Sequence, residues 1–368
     1  MIPVNEPLLN GNEKKYLIEC IDTGWISSEG PFIKKFEENF SLKTNRKYGV
    51  AVCNGTAALE IAVEALGITK GDEVIMPSFT IISCASAIIK SGAIPVLVDS
   101  DLNTWNMDVS QIESKITAKT KAIMIVHIYG LTVDMDPVLA LAKKYNLKII
   151  EDSAEAHGQT YKGKPCGSFG DVSVFSFYPN KLITTGEGGM ILTDDDTIAE
   201  KLRSLRNLCF TAHKRFVHEE LGWNMRMTNV QAAIGVAQLE RWDESIARKR
   251  EIGKLYTELL KDTKGIQLPL EKTDYCDNIY WVYGILLTDK SKNAEHTMKL
   301  LAEKGIGTRP FFYPMHLQPV LHKMGLYKSE TYPNSENMYN YGFYLPSGLA
   351  LTNEQIHEVT TILKEILI

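Results

Sequence analysis

Residues Leu147–Thr193 read LKIIEDSAEAHGQTYKGKPCGSFGDVSVFSFYPNKLITTGEGGMILT. Three short apolar runs punctuate the stretch: LKIIED (Leu147–Asp152), VSVFSF (Val172–Phe177) and GMILT (Gly189–Thr193). Each is largely apolar on both parities, as a strand buried on both faces should be. The Gly-rich GEGGM precedes a strand. A dinucleotide-binding G-x-G-x-x-G would have to follow one, so that motif is absent.

Upstream, four more runs have the same character: GVAVC (Gly49–Cys53), EVIMP (Glu73–Pro77), IPVLVD (Ile94–Asp99) and AIMIVHI (Ala122–Ile128). Helical patterns lie between several of them. Over Thr56–Leu66, Ala58, Ala62 and Leu66 share one face, with Leu59 and Val63 beside them. Strand–helix alternation predicts an α/β fold with a mostly parallel sheet sandwiched by helices. Ligands of such sheets bind at the carboxyl ends of the strands. Downstream, the pattern predicts a long polar helix over about Thr228–Glu251 and a connection near Asp262–Thr273. The remainder holds one alternating segment, Tyr280–Leu287, and helices over Ala294–Lys304 and Asn353–Ile366. The predicted division is a large α/β domain over residues 1–250, with an N-terminal arm, and a small α+β domain over 251–368.

A chain of 368 residues exceeds one ordinary core, which agrees with two domains. Its 44% apolar and 23% charged residues are ordinary for a soluble globular protein. The net charge of -5 argues against nucleic acid or an anionic membrane as the main partner. The basic run Arg248, Lys249, Arg250 lies in a helical pattern and reads as a solvated face, or more sharply as a phosphate contact. Six cysteines are scattered without C-x-x-C spacing, so zinc and redox pairs are unsupported and no metal is expected. They read as reduced thiols. No signal-peptide pattern opens the chain, and no apolar run reaches the roughly 18 residues of a membrane span. A cytoplasmic location is the expectation.

Certain residues stand where chemistry could occur. Lys181 follows a strand, in FSFYPNKLITTGEGGM (Phe175–Met190). A lone lysine there is ordinarily solvated. Here Phe175 and Phe177 suggest burial, and Thr184, Thr185, Gly186, Gly188 and Gly189 leave little bulk nearby. A desolvated lysine is partly neutral and so nucleophilic. Asp152 ends a strand, where it either caps the next helix or presents its charge to a ligand. Asn54, Gly55 and Thr56 join a strand to a helix. They form either an ordinary N-cap or a phosphate cradle. Ser176 could add a hydroxyl to the same phosphate. A lysine nucleophile, a carboxylate and a phosphate cradle are the set that pyridoxal-phosphate chemistry requires.

Taken in order, these residues resemble the sugar-nucleotide aminotransferase family (DegT/StrS type) of fold-type I pyridoxal-phosphate enzymes. The resemblance spans nearly the whole chain. Its most specific pieces are GWISSEGPFIKKFEENF (Gly24–Phe40), CNGTAALEIAVEALGI (Cys53–Ile68), GDEVIMPSFT (Gly71–Thr80), KAIMIVHIYG (Lys121–Gly130), Ile150–Met190, GWNMRMTNVQAAIGVAQLE (Gly222–Glu240) and TRPFFYPMH (Thr308–His316).

The resemblance implies that Lys181 forms the Schiff base and that Asp152 faces the pyridine nitrogen. It puts Gly55, Thr56 and Ser176 at the phosphate, Ala154 on one ring face, and Glu155 beside the phenolic oxygen, where many members carry Gln. Asn224 and Arg226 match a segment reaching into the partner's site of a homodimer, with Asn224 at the phosphate. Arg309 and His316 fall where a substrate could be met, and a buried structural role for His316 stands equally open. One departure is Ile81, where several members stack Tyr or Trp on the ring. The implied reaction moves an amino group from glutamate to a 4-keto sugar nucleotide, GDP-4-keto-6-deoxymannose first, giving GDP-perosamine. A UDP- or dTDP-linked keto sugar or a small phosphorylated ketone is the alternative acceptor. A sugar dehydratase of this fold would typically carry His at position 181. A non-catalytic regulator would have no need of Lys181, Asp152 and Ser176 together.

Overall fold

The protein is described by a computed structural model covering residues 1–211 and 213–367. Its strands, in chain order, are β1 (Tyr48–Val52), β2 (Glu73–Pro77), β3 (Ile94–Val98), β4 (Thr120–Val126), β5 (Lys148–Asp152), the short β6 (Thr160–Tyr161) and β7 (Lys164–Pro165), β8 (Val172–Ser176) and β9 (Gly189–Thr193). Four more follow: β10 (Ile266–Gln267), β11 (Tyr283–Leu287), β12 (Arg309–Pro310) and β13 (Gly342–Leu345). The large sheet has the order β1-β9-β8-β5-β4-β2-β3. It is parallel except for β9, which runs antiparallel to both β1 and β8. All seven strands read from the sequence belong to it.

Among the described residues, eight α-helices precede β10: α1 (Glu13–Thr23), α2 (Pro31–Lys43), α3 (Gly55–Ala65), α4 (Ile82–Lys90), α5 (Met135–Tyr145), α6 (Asp196–Leu205), α7 (Asn229–Leu239) and α8 (Trp242–Leu260). Strand parity decides which helix each residue meets. Val50, Val52, Val74 and Met76 join a core with Ala58, Ala62 and Leu59 of α3 and Cys84 and Ile88 of α4. Ala51, Phe175 and Met190 point the other way, against Phe36 and Phe40 of α2 and Val236 of α7. Ile75, Ile123 and Ile125 meet Met135 and Val138 of α5 on that same opposite face. Both faces are therefore covered, which is why these strands lack polar alternation.

The long polar helix expected over 228–251 is two helices. Arg241 leaves helical geometry (φ -111°, ψ 21°) between them, at the turn that feeds Trp242 into the core beside Phe40. α7 is apolar, with Ala232, Ala233 and Val236 buried, and a capping box of Thr228 and Gln231 starts it. The basic run is also corrected. Lys249 is fully buried, and its Nζ donates to the carbonyls of Trp281 (2.7 Å) and Ser347. Desolvation lowers its pKa to about 7.

The small sheet is antiparallel, ordered β10-β11-β13-β12. Ile285, Phe343 and Leu345 pack there against Ile356, Val359 and Leu363 of the last helix, Asn353–Leu367. Two features cross the expected boundary at residue 250. α8 begins in the large core with Trp242 and ends in the small one with Ile252, Tyr256 and Leu260. The N-terminal arm joins the small sheet's side: Ile2 exchanges backbone bonds with Gly305 and Gly307, both 2.8 Å.

Candidate active site

The carboxyl ends of β4, β5 and β8 open onto a cavity of about 760 Å³. Lys181 enters it from the turn after β8, where its N–H donates to the Tyr178 carbonyl (2.9 Å). The side chain is almost enclosed, with Nζ 3.9 Å from Oε1 of Glu155. Burial lowers the lysine's pKa, and the charges of Glu155 and Asp152 oppose that shift. Asp152, at the end of β5, is buried as well. Its carboxylate accepts the Ala154 N–H (3.0 Å) and the Cys84 thiol (3.4 Å). Burial raises its pKa against the pull of that N–H and of Lys181. Glu155 accepts the Tyr129 N–H (2.8 Å), and burial raises its carboxyl while Lys181 draws it down.

Across the cavity, α3 presents its N-terminus. Asn54 is its N-cap, accepting the Ala57 N–H (2.8 Å), so the N-cap reading of this residue holds. Gly55 lets the turn approach β8 closely, for a Cβ there would lie 2.7 Å from Cβ of Ser176. Thr56 shares a hydrogen bond with Ser83 (2.9 Å). Ser176 lines the cavity beside them, as do Ala154 and Ile81, the latter 46% exposed. Eight of the candidate residues thus meet in one place.

Four do not. Asn224 and Arg226 flank Met225 in an extended segment, in which Met225 O accepts the Cys53 N–H (2.8 Å). Alternation turns Met225 into the cavity and its neighbours away. Arg226 donates Nε–H to Asn224 (2.9 Å) and lines a separate groove with Arg203 and Arg206. Arg309 is exposed on the edge strand β12. His316 is buried, with Nδ1 2.9 Å from Ser78 Oγ and Nε2 3.0 Å from Glu336. Neither Arg309 nor His316 lines the cavity, which TRPFFYPMH reaches through Phe312. Arg309 stands directly opposite Tyr344, on the same face of the small sheet, while the His316 imidazole is taken up by its two partners.

The sequence reading also missed Trp281 and Tyr344, which wall the cavity from the small sheet's side, and Tyr178 and Met225. No local signal marks Trp281 or Tyr344, because only the long-range packing of the two sheets brings them to Lys181. Beneath Asp152 lies a knot of His127, Glu151 and Cys166 with the spacing of a metal site. The lone pairs of Glu151 and His127 are already engaged. Glu151 accepts His127 Nε2–H (3.1 Å), Phe169 N–H and Ser173 O–H (2.8 Å each), and His127 Nδ1 accepts Val133 N–H (3.1 Å). These bonds, His127 first, outweigh desolvation and hold Glu151 at about 2. The knot is a structural support for the end of β5.

These groups fit pyridoxal phosphate. A desolvated amine can bond its aldehyde, a buried carboxylate can face its ring nitrogen, and free N–H groups at a helix start suit its phosphate. Fold and site together define a pyridoxal-phosphate-dependent aminotransferase. The chain belongs to the DegT/DnrJ/EryC1/StrS aminotransferase family, whose sequence model matches residues 7–364. It is 47% identical over 355 residues to the GDP-perosamine synthase of Escherichia coli O157:H7, covering 96% of this chain and 95% of that one. It is 44% identical over 370 residues to the GDP-perosamine synthase of Caulobacter vibrioides, covering 100% and 98%. A Streptococcus pneumoniae aminotransferase in its PLP form superposes with a TM-score of 0.92 at 27% identity, over 100% of this chain and 98% of that one.

Proposed function

We propose that the chain transfers an amino group from glutamate to the C4 ketone of GDP-4-keto-6-deoxymannose, giving GDP-perosamine for a surface polysaccharide in the cytoplasm. The observation that carries the reading is the enclosed Nζ of Lys181 facing Glu155 and Asp152 opposite the α3 N-terminus. The choice of acceptor rests on the names of the two most similar relatives reported above.

Bound pyridoxal phosphate supplies an electron sink for the carbon that gains or loses the amino group. Lys181 would hold the cofactor through Nζ, and the same amine, when free, would accept and return a proton at the reacting carbons. Burial lowers that amine's pKa, which favours the neutral form a base requires, while Glu155 and Asp152 oppose the shift. Asp152 would face the ring nitrogen, where its negative charge would favour the protonated ring. The N–H groups of Gly55 and Thr56, with the Ser176 hydroxyl, bind the phosphate. Glu155 hydrogen-bonds beside the phenolic oxygen. Ala154 and Ile81 would supply apolar contact to the ring.

Asn224 and Arg226 then serve the second site of a homodimer. Exposed apolar residues support this: Trp25 and Ile26 lie beside the 223–229 segment, where Asn229 Nδ2 donates to the Trp25 carbonyl (2.8 Å), and Leu221 and Trp223 are exposed in the same chain region. Mixing Lys181→Ala subunits with Asn224→Ala/Arg226→Ala subunits should restore part of the activity. Verified mixed dimers without activity would refute shared sites. The acceptor is tested by kcat/KM for GDP-, UDP- and dTDP-linked 4-keto sugars and a small keto-phosphate, with glutamate as donor. The GDP sugar should win. A large preference for the small ketone would overturn the acceptor and leave the aminotransferase standing.

A further inference from the structure

Trp281 lies against the lysine from the far side of the molecule. Nζ of Lys181 is 3.9 Å from the centroid of its indole ring. The ring belongs to the segment leading into β11, so the support comes from the small sheet. It is fastened at two points. Its Nε1–H donates to the carbonyl of Asn180, the residue before Lys181, at 2.9 Å. Its own carbonyl accepts Nζ of the buried Lys249 at 2.7 Å, and Lys249 also bonds Ser347 on the strand-exit side of β13. Trp281 is buried, with Tyr129 and Tyr344 around it.

The titratable groups facing Lys181 are Asp152, Glu155 and His157. The first two favour its charged form. His157 is buried among Phe40, Phe175 and Trp242, and desolvation holds it neutral, at about 3. Tyr129 and Tyr344 near Glu155 are both pushed toward their neutral forms by burial. The nearest carboxylate oxygen stands at 3.9 Å, beyond hydrogen-bond length. A desolvated ammonium so placed gains from the negative face of an indole, which is the strongest aromatic partner for a cation.

We propose that Trp281 is a positioning residue for Lys181: its indole face holds Nζ as an ammonium at the cavity wall, and its N–H bond to Asn180 ties that position to the small sheet. Lys249 acts one step further back, keeping the indole at the correct height. The arrangement couples the lysine's proton to the seating of the small sheet on the large one.

The inference rests on the proposed function only for the use made of Lys181. The test is therefore a titration of that amine in the full-length apoprotein. The rate of Lys181 acetylation by acetic anhydride is followed by mass spectrometry across pH, and its midpoint is read. The protein is prepared with ordinary tryptophan and with mono-, di- and tetrafluorotryptophan, which weaken the ring face and keep its shape. Of the five tryptophans, Trp281 is the one in cation contact with Lys181. The midpoint should fall stepwise with fluorination, by about one pH unit for the tetrafluoro ring. In Trp281→Leu the same series should give no trend. An unchanged midpoint in the wild-type background, or a trend that survives in Trp281→Leu, overturns the proposal. The wild-type series needs no substitution, so it decides the matter even if Trp281→Leu fails to fold. Borohydride fixation of cofactor to a residue other than Lys181 would sink the proposed function and leave this titration intact.

Discussion

Glu155 divides its carboxylate between two duties: one oxygen accepts the Tyr129 N–H at 2.8 Å, and the other faces the ammonium of Lys181 at 3.9 Å. Burial raises its pKa above the unfolded value. Its contribution to stability is then complete below about pH 4.3 and is lost as pH rises through the raised value. Glu155→Gln has no such loss. In urea denaturation of the apoprotein, the wild type should lose stability relative to Glu155→Gln between pH 5 and pH 8, by about 1 kcal/mol or more, one pKa unit being ~1.4 kcal/mol. Parallel pH profiles would show that Glu155 does not titrate in this interval.

Asp152 is held by one N–H and one thiol, and its charge is its asset. Asp152→Asn keeps the shape and removes the charge. The expected loss in kcat is about 100-fold or greater, roughly 2.7 kcal/mol of barrier. A loss below threefold would exclude an electrostatic role. Cys84→Ala should give a smaller loss that Cys84→Ser recovers, because Ser restores a donor to the carboxylate.

At Gly55 the constraint is space. A Cβ would press on Ser176, 2.7 Å from its Cβ and 3.1 Å from its Oγ. Gly55→Ala should weaken pyridoxal-phosphate affinity about tenfold, ~1.4 kcal/mol, and lower the apoprotein's stability by about 1–3 kcal/mol as the clash is relieved. Cofactor titration by fluorescence checks this, and wild-type affinity would show that the cradle lies elsewhere.

His316 belongs to the protein's framework. Its ring spans Ser78 and Glu336, joining the loop after β2 to the helix Pro333–Tyr341. His316→Ala should cost about 1–3 kcal/mol of stability by leaving buried polar partners unpaired, with the acceptor KM unchanged. A raised KM at wild-type stability would return this residue to the substrate site.

The large sheet was legible because each of its strands is a local signal: Val50 and Ala51 are both apolar since both faces are covered. Eight cavity residues were legible for a related reason. They follow strands or start helices, where the fold class itself directs ligands. Lys249 was misread because a charge within a basic run gives no local sign of burial, which is imposed by the Trp281 and Ser347 carbonyls, distant in sequence. Arg226 and His316 carry suitable chemistry, and only alternation about Met225 and the presence of Glu336 reveal where they point. Trp281 was missed for the converse reason: nothing near NIYWVYG announces that it meets Lys181.

The position of β1 has a consequence for biogenesis. It is made first among the strands, yet its one neighbour in the sheet is β9, with Tyr48 opposite Thr193 and Val52 opposite Gly189. The helix start that follows it is braced by the same strand, since a Cβ on Gly189 would lie 2.5 Å from the Asn54 carbonyl. A nascent chain must therefore keep Val50–Val52 unpaired while the whole parallel core is translated, and loop closure over that span is slow. Synthesis order and assembly order are opposed here. The ribosome delivers Lys181 before β9 can brace the start of α3 facing it, so the earliest strand of the sheet waits for the latest one.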